Sequence, residues 1–415
     1  MGKYLIYKRN SPGYEKIINS FLDQIAVTFP GYYQREELKN LLYQNLKQIK
    51  KLKNGTSVKL PIIGYINGTY HRLLRTMIYT ENEDETIGHE LFHALSAKAT
   101  AKRETIFKII AIVYLGQKQL STRELEEGIT EYLTGCITDE AYKNVGFAYQ
   151  TEKNVVDKLA KIYGNRVILD YYLGFNNNLI ELINRDSPKN FKRLNQMLQK
   201  AVTTGDIPNN FEGIKYPGKR NEMLEDSLIF ELFSKEKLKT VNTVDDFVHN
   251  LHELFNFYES DLYRLCYSIN EEESAIQQLT ENGDKDNLLM LHQSNLNKKL
   301  QEFQKFDTII RLEWQKLGID DETLYNNLLL DEIEKFNDFA TPIIIDYLDY
   351  WSNDLAATYD KRYEPTMQTE LSKNYSKATK KEEWQKLKAD IIESMVQQST
   401  NQYMPEDQSK TSLHK

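Results

Sequence analysis

The sequence predicts a mostly α chain of the α+β class, with a small sheet near the N-terminus and an all-helical C-terminal region. Three observations predict it. Apolar residues recur at helical spacing over most of the 415 residues. Short β-prone pieces, LPIIGYI and RTMIYT, are confined to the stretch punctuated by Gly55, Pro61, Gly64 and Gly68. Hydrophobic residues make up 40% and charged residues 27%, enough to bury a core and unlike a disordered or collagen-like composition.

Residues 14–29 and 35–53 read as helices, the second through Leu38, Leu42, Leu46 and Ile49. The first 60 residues hold eleven Lys/Arg against four Asp/Glu, and the densest run, KQIKKLK, reads as a solvated helix face. The two β-prone pieces then pair as a small sheet. From Asn82 onward helices dominate. Asn82 caps one with Glu85, Ser121 caps another with Glu124, and between them ETIFKIIAIVYLG reads as a separate buried helix. Residues 150–163 and 166–183 are two more. GDIPNNFEGIKYPGK marks a linker. The organisation expected is a helical segment over 1–60, a domain over 61–204, a linker over 205–221, a helical domain over 222–397 and a disordered tail over 398–415.

Composition excludes several classes. The longest apolar run, Ile109 to Leu115, is far short of a bilayer span, so no membrane partner is expected. MGKYLIYKRNSPGY has no apolar stretch of secretory length. Cys136 and Cys266 make no disulfide framework, which points to a reducing, cytoplasmic location. A net charge of -8 argues against general nucleic-acid binding.

The chemistry lies in IGHELFHALS. On a helix His89 and His93 project from one face and can grip one metal ion, while Glu90, about 100° around the axis, reaches a water beside it. Two neutral nitrogens to hold zinc and a carboxylate to take a proton from water are what hydrolysis requires. Gly88, Leu91, Ala94, Leu95 and Ala97 make this helix apolar and small-sided, and buried histidines need partners. A third ligand is expected from STRELEEGITEYLTG, where Glu124, Glu127 and Glu131 share a face. Gly128 there marks a close approach. Glu127 is favoured as ligand, with Glu131 one turn on fixing an imidazole's tautomer and Glu124 or Glu131 as the next choices.

HELFHALS followed by LEEGITEYLT resembles the gluzincin metallopeptidases, the broad clan of thermolysin and the zinc aminopeptidases. The resemblance covers residues 60–185 and implies a zincin-like catalytic domain over 61–204. It implies His89, His93 and Glu127 as ligands of one zinc ion, Glu90 as general base and Glu131 hydrogen-bonded behind a liganding imidazole. It also makes RTMIYT the edge strand that binds substrate backbone. Thirty-three residues separate His93 from Glu127, more than in thermolysin, so the KRETIFKIIAIVYLGQ helix is expected to pack between the ligand helices. Nothing resembles the aminopeptidase grip on a substrate N-terminus, which favours an endopeptidase.

The oxyanion-stabilising residue is open. His249 and His252 in DDFVHNLHELF are candidates, and Tyr149, Tyr163, Tyr171 and Tyr172 lie nearer in sequence. His71 reads as a surface turn residue, Cys136 as a packed thiol and ENGDKDN as a turn between helices. The function expected is a zinc-dependent peptidase acting on protein or peptide substrates. The alternative is a helical interaction or regulatory scaffold with a structural or vestigial zinc site, which would not need Glu90 beside the metal. Residues 222–397 would recognise a dedicated protein partner, as substrate or otherwise.

Overall fold

The structure is a computed structural model. It describes residues 4–52, 58–60, 64–66, 68–80, 84–110, 123–138, 149–204, 227–282, 288–352, 355 and 358–359. The chain is mostly helical with a small N-terminal sheet, as the sequence predicts. It divides into two compact units, Met1–Glu236 and Lys237–Lys415. The 205–221 linker, the 398–415 tail and the caps at Asn82 and Ser121 lie outside the described residues.

The first unit begins with β1 (Tyr4–Lys8), α1 (Pro12–Thr28), α2 (Arg35–Asn45) and β2 (Gln48–Leu52). α1 starts where Ser11 accepts a hydrogen bond from the Tyr14 N–H and Pro12 enters the first turn. It buries Tyr14, Ile18, Phe21, Leu22 and Ile25, one stripe at helical spacing. β3 (Val58–Leu60) and β4 (Gly64–Ile66) form a two-stranded antiparallel pair of their own. β5 (Gly68–His71) and β6 (Thr76–Tyr79) complete a four-stranded sheet of order β1-β2-β6-β5. β1 and β5 are antiparallel to their neighbours, and β2 runs parallel to β6.

This sheet corrects four expectations. The 35–53 helix stops at Asn45, and KQIKKLK is mostly β2, paired with β1 from Tyr4↔Leu52 to Lys8↔Gln48. Ile49 and Leu52 are buried while Gln48, Lys50 and Lys51 keep partial exposure. LPIIGYI and RTMIYT do not pair with each other, because β6 pairs with β2 and β5. For the same reason RTMIYT is an interior strand, and the edge beyond it is β5. Residues 1–60 are therefore not a separate helical segment, since their β1 and β2 share one sheet with β5 and β6.

Seven helices complete the described part of this unit and lead into the next. They are α3 (Asp84–Ile110), α4 (Arg123–Thr138), α5 (Gln150–Tyr163), α6 (Asn165–Leu173), α7 (Asn178–Ile183), α8 (Asn190–Thr204) and α9 (Ser227–Lys237). α3 runs unbroken through ETIFKII, so the described part of the separate helix expected there continues α3, and residues 111–116 lie outside the described residues. The 166–183 helix is broken at Gly174, whose φ of 77° ends α6 in the left-handed region. α4 and α5 pack extensively, and Gly128 is why they come so close. A Cβ there would lie 2.7 Å from the Glu152 backbone and Cβ.

The second unit is built on α10 (Val244–Glu281), opened by a capping box between Thr243 and Asp246. α11 (Leu288–Gln315) runs back along it, since Phe247 meets Trp314, Phe255 meets Phe306 and Glu272 bonds Lys299. α12 (Glu322–Ile333) and α13 (Ala340–Ser352) close the bundle over a core that includes Phe303, Tyr325 and Ile344. Among the described residues no helix is long and apolar enough to cross a membrane.

Gly128→Ala should destabilise the first unit by about 1–3 kcal/mol, because the added methyl overpacks the α4–α5 contact. Urea denaturation followed by circular dichroism measures it, and an unchanged midpoint would remove the close approach as a constraint.

Candidate metal centre

The second and third turns of α3 carry His89, Glu90 and His93, and the second turn of α4 carries Glu127. His93 Nε2 lies 3.0 Å from His89 Nε2 and 3.1 Å from Glu127 Oε2, and His89 Nε2 lies 3.7 Å from that same oxygen. These three atoms are drawn from residues that could together hold a metal ion. The triangle tests what would fit. Ligand atoms about 2.0–2.1 Å from a tetrahedral zinc stand about 3.3–3.4 Å from one another. The observed separations bracket that spacing, and two imidazole nitrogens with one carboxylate oxygen are a donor set suited to zinc.

The surroundings orient the set. His89 Nδ1 faces Glu131 Oε2 at 3.4 Å, which directs Nε2 toward the centre of the triangle. Burial pulls the His89 imidazole down, but the Glu131 carboxylate, with Glu90 and Glu127 behind it, pushes it up to about 9. Burial would raise Glu127, and the His93 imidazole beside it overcomes this and holds it down at about 2. Glu90 is buried, and burial raises its carboxyl against the pull of both histidines. Glu90 also accepts a hydrogen bond from the Tyr70 main-chain N–H in β5. Gly68 permits that approach, since a Cβ there would lie 2.4 Å from Thr86 Cγ2 and 3.0 Å from Glu90 Cγ.

Around this core lie residues that the sequence did not single out for the site. Arg103 and Glu126 form a buried bidentate pair at 2.6 and 2.8 Å. The same guanidinium donates to the main-chain carbonyls of Tyr171 and Tyr172 and sits 4.5 Å from the Tyr171 ring centre. Glu126 also accepts from the Thr100 hydroxyl at 3.2 Å. One charge pair thus ties α3, α4 and α6 together. Of the intervening helix expected over KRETIFKIIAIVYLGQ, the described part, KRETIFKII, is α3 itself and contacts α4 directly through Arg103, while residues 111–117 lie outside the described residues. The close approach that Gly128 marks is that of α5. Glu152 fills that contact, its carboxyl pushed up to about 7 by burial and by Glu124, Glu127 and Glu131 nearby.

Arg123, in the first turn of α4, places Nε 3.8 Å from Glu127 Oε1. Tyr149 hydrogen-bonds Arg123 from the left-handed position before α5, at φ 63° and ψ 22°. Of the tyrosines named from sequence, Tyr149 alone stands beside the mouth of the cluster. Tyr171 and Tyr172 are fully buried in the α3–α6 contact, and Tyr172 bonds Thr130 at 2.6 Å. The Tyr163 hydroxyl is shielded from solvent and pushed up to about 12 by burial. His249 and His252 have partners within their own unit. Both lie on α10 in the second unit, His249 against the Lys237 carbonyl and His252 against Glu332, each at 3.1 Å. His71 is exposed but is the last residue of β5 and not a turn residue, and its ring nitrogen accepts from the Leu74 N–H. Cys136 is a free thiol pushed up to about 11 by burial, which fits packing and not nucleophilic attack.

Compared with known proteins, the chain matches no family model, no curated protein and no solved structure.

Arg103→Met leaves Glu126 buried without its counterion and should cost about 3–5 kcal/mol, much of it recovered by adding Glu126→Leu. Denaturation of the single and double variants decides this, and an unperturbed single variant would refute the clamp. In metal-free protein, protonated His89 stabilises the fold fully below its unfolded value near 6.5, and this is lost as pH rises through about 9. Glu127 acts oppositely, stabilising above about 4.5 and failing as pH falls toward 2. Stability in the presence of chelator should thus decline from pH 6.5 to 9, and Glu131→Gln should flatten that decline.

Proposed function

We propose that the chain is a zinc-dependent peptidase of gluzincin type, acting as an endopeptidase with His89, His93 and Glu127 as ligands of one zinc ion. The observation that carries the reading is the triangle of Nε2, Nε2 and Oε2 atoms at 3.0, 3.1 and 3.7 Å with a buried carboxylate one residue from a ligand. Zinc, when bound, supplies a Lewis acid that polarises a carbonyl and acidifies water.

The remaining chemistry belongs to the protein's own side chains. Glu90 takes the proton of the attacking water and later delivers it to the departing amine. Its raised carboxyl suits both halves, since a stronger acid would hold the proton too weakly. The Tyr70 N–H holds this carboxylate in place from β5. β5 is the edge of its sheet, so an extended peptide can add to its open side directly beside Glu90. Arg123 and Tyr149 offer donors beside the ligand carboxylate for an oxyanion. Cys136 and Cys266 are both free, which supports a reducing, cytoplasmic setting.

Purified wild-type protein should carry about one zinc per chain by elemental analysis, and Glu127→Ala should lose most of it. Glu90→Gln should keep its zinc while casein hydrolysis falls by about 10²–10⁴-fold. Zinc-loaded wild type that cleaves neither casein nor peptide mixtures would reject general proteolysis. Equal activity in Glu90→Gln would remove Glu90 from the mechanism.

A further inference from the structure

A cleft of about 360 Å³ in the first unit is lined by Arg9, Asn40, Tyr43, Gln44, Arg75 and Lys98. Three of these six are cationic and none is acidic. They come from separate places in the chain. Arg9 follows β1, the middle three lie in the last two turns of α2, Arg75 ends the β5–β6 turn and Lys98 is on α3.

Each cation is placed without being neutralised. Arg9 Nη2 donates to the main-chain carbonyls of Tyr43 and Leu46, and its guanidinium lies 5.6 Å from the Tyr43 ring centre. That cap offsets the negative end of α2, which would otherwise repel an anion here. Lys98 Nζ donates to Gln44 Oε1 at 2.5 Å. Arg75 is pinned by its backbone, with φ at 50° and its carbonyl accepting from the Lys47 N–H at 2.8 Å. Among the described residues no carboxylate pairs with any of the three, although the chain as a whole has more acidic than basic residues, 61 against 53. Gathering like charges around one cleft is unfavourable until an anion enters it.

We infer that this cleft binds a phosphate group. Two guanidinium groups, an ammonium and the neighbouring amides supply more donors than the two oxygens of a carboxylate can use, and they suit the several oxygens of a phosphate. The rim bears on where that phosphate is carried. Leu73 and Leu74, directly before Arg75, are 89% and 62% exposed, with Arg72 on their other side. An apolar pair between arginines fits insertion among lipid headgroups, so a lipid phosphate and a free phosphate compound share the chemistry and are separated by experiment.

The full chain is titrated with inorganic phosphate by calorimetry at constant ionic strength, with chloride as control. In parallel it is sedimented with phosphatidylcholine vesicles, with or without phosphatidic acid. Phosphate should bind above the chloride control, and Arg75→Gln and Lys98→Gln should each weaken it about tenfold. Both side chains are exposed, so circular dichroism should be unchanged. Sedimentation only with phosphatidic acid, lost in Leu73→Ser/Leu74→Ser while inorganic phosphate still binds, supports the site with a lipid source. Phosphate binding sensitive to Arg75→Gln without sedimentation supports it with a soluble source. No binding above chloride, or binding indifferent to both cleft variants, overturns the inference.

Discussion

α3 and α4 meet through a charge that neither could bury alone. Glu126 and Glu127 are adjacent on α4 and so point about 100° apart. One reaches toward the C-terminal half of α3, to Thr100 and Arg103, and the other toward its N-terminal half, to His93 and His89. The two contact points on α3 are about two turns apart, so α4 crosses α3 held at both sides of the crossing. The second grip would place three ligand atoms loosely by itself, because side chains on two helices can slide by an ångström at little cost. The first removes that freedom. A desolvated guanidinium with two carboxylate oxygens and two main-chain carbonyls has one low-energy arrangement.

This division explains what could be read from the sequence. His89 and His93 are legible because a four-residue spacing on a helix is a local fact, independent of tertiary structure. Glu127 is legible one step less directly. Gly128 identifies α4 as closely approached, but the neighbour that approaches is α5, and only the structure brings α3 to the other face. Arg103 and Glu126 are not legible at all. In a charged string such as TAKRETI or RELEEG, a residue that will pair internally has the same letters as one that faces water, and the pairing is 23 positions apart. The fold class survives that ignorance, since periodicity and glycine punctuation suffice for it. Element boundaries do not. KQIKKLK satisfies a helical stripe through Leu46 and Ile49, yet pairing with β1 on one side and β6 on the other buries Ile49 and Leu52 equally well as a strand.

The electrostatics of the cluster bear on the proposed cation independently of ligand geometry. Glu90, Glu127, Glu131 and Glu152 are gathered about two imidazoles, with Arg123 as the nearby basic side chain, itself largely exposed. Buried carboxylates in such a group resist ionising together, and each must either keep a proton or find positive charge. Both responses are visible. Glu152 is pushed up toward holding a proton by burial and by Glu124, Glu127 and Glu131, while Glu127, in contact with His93, is held down. His89 is pushed up to about 9 although burial alone would push it down. The carboxylates that raise it, Glu131 at Nδ1 first and then Glu90 and Glu127, would also attract a dication at the triangle. A proton on His89 and a metal at its Nε2 are therefore competing answers to one excess of charge. The competition has a direction: as pH rises the proton leaves, the imidazole becomes a ligand and the same carboxylates that favoured protonation favour the metal.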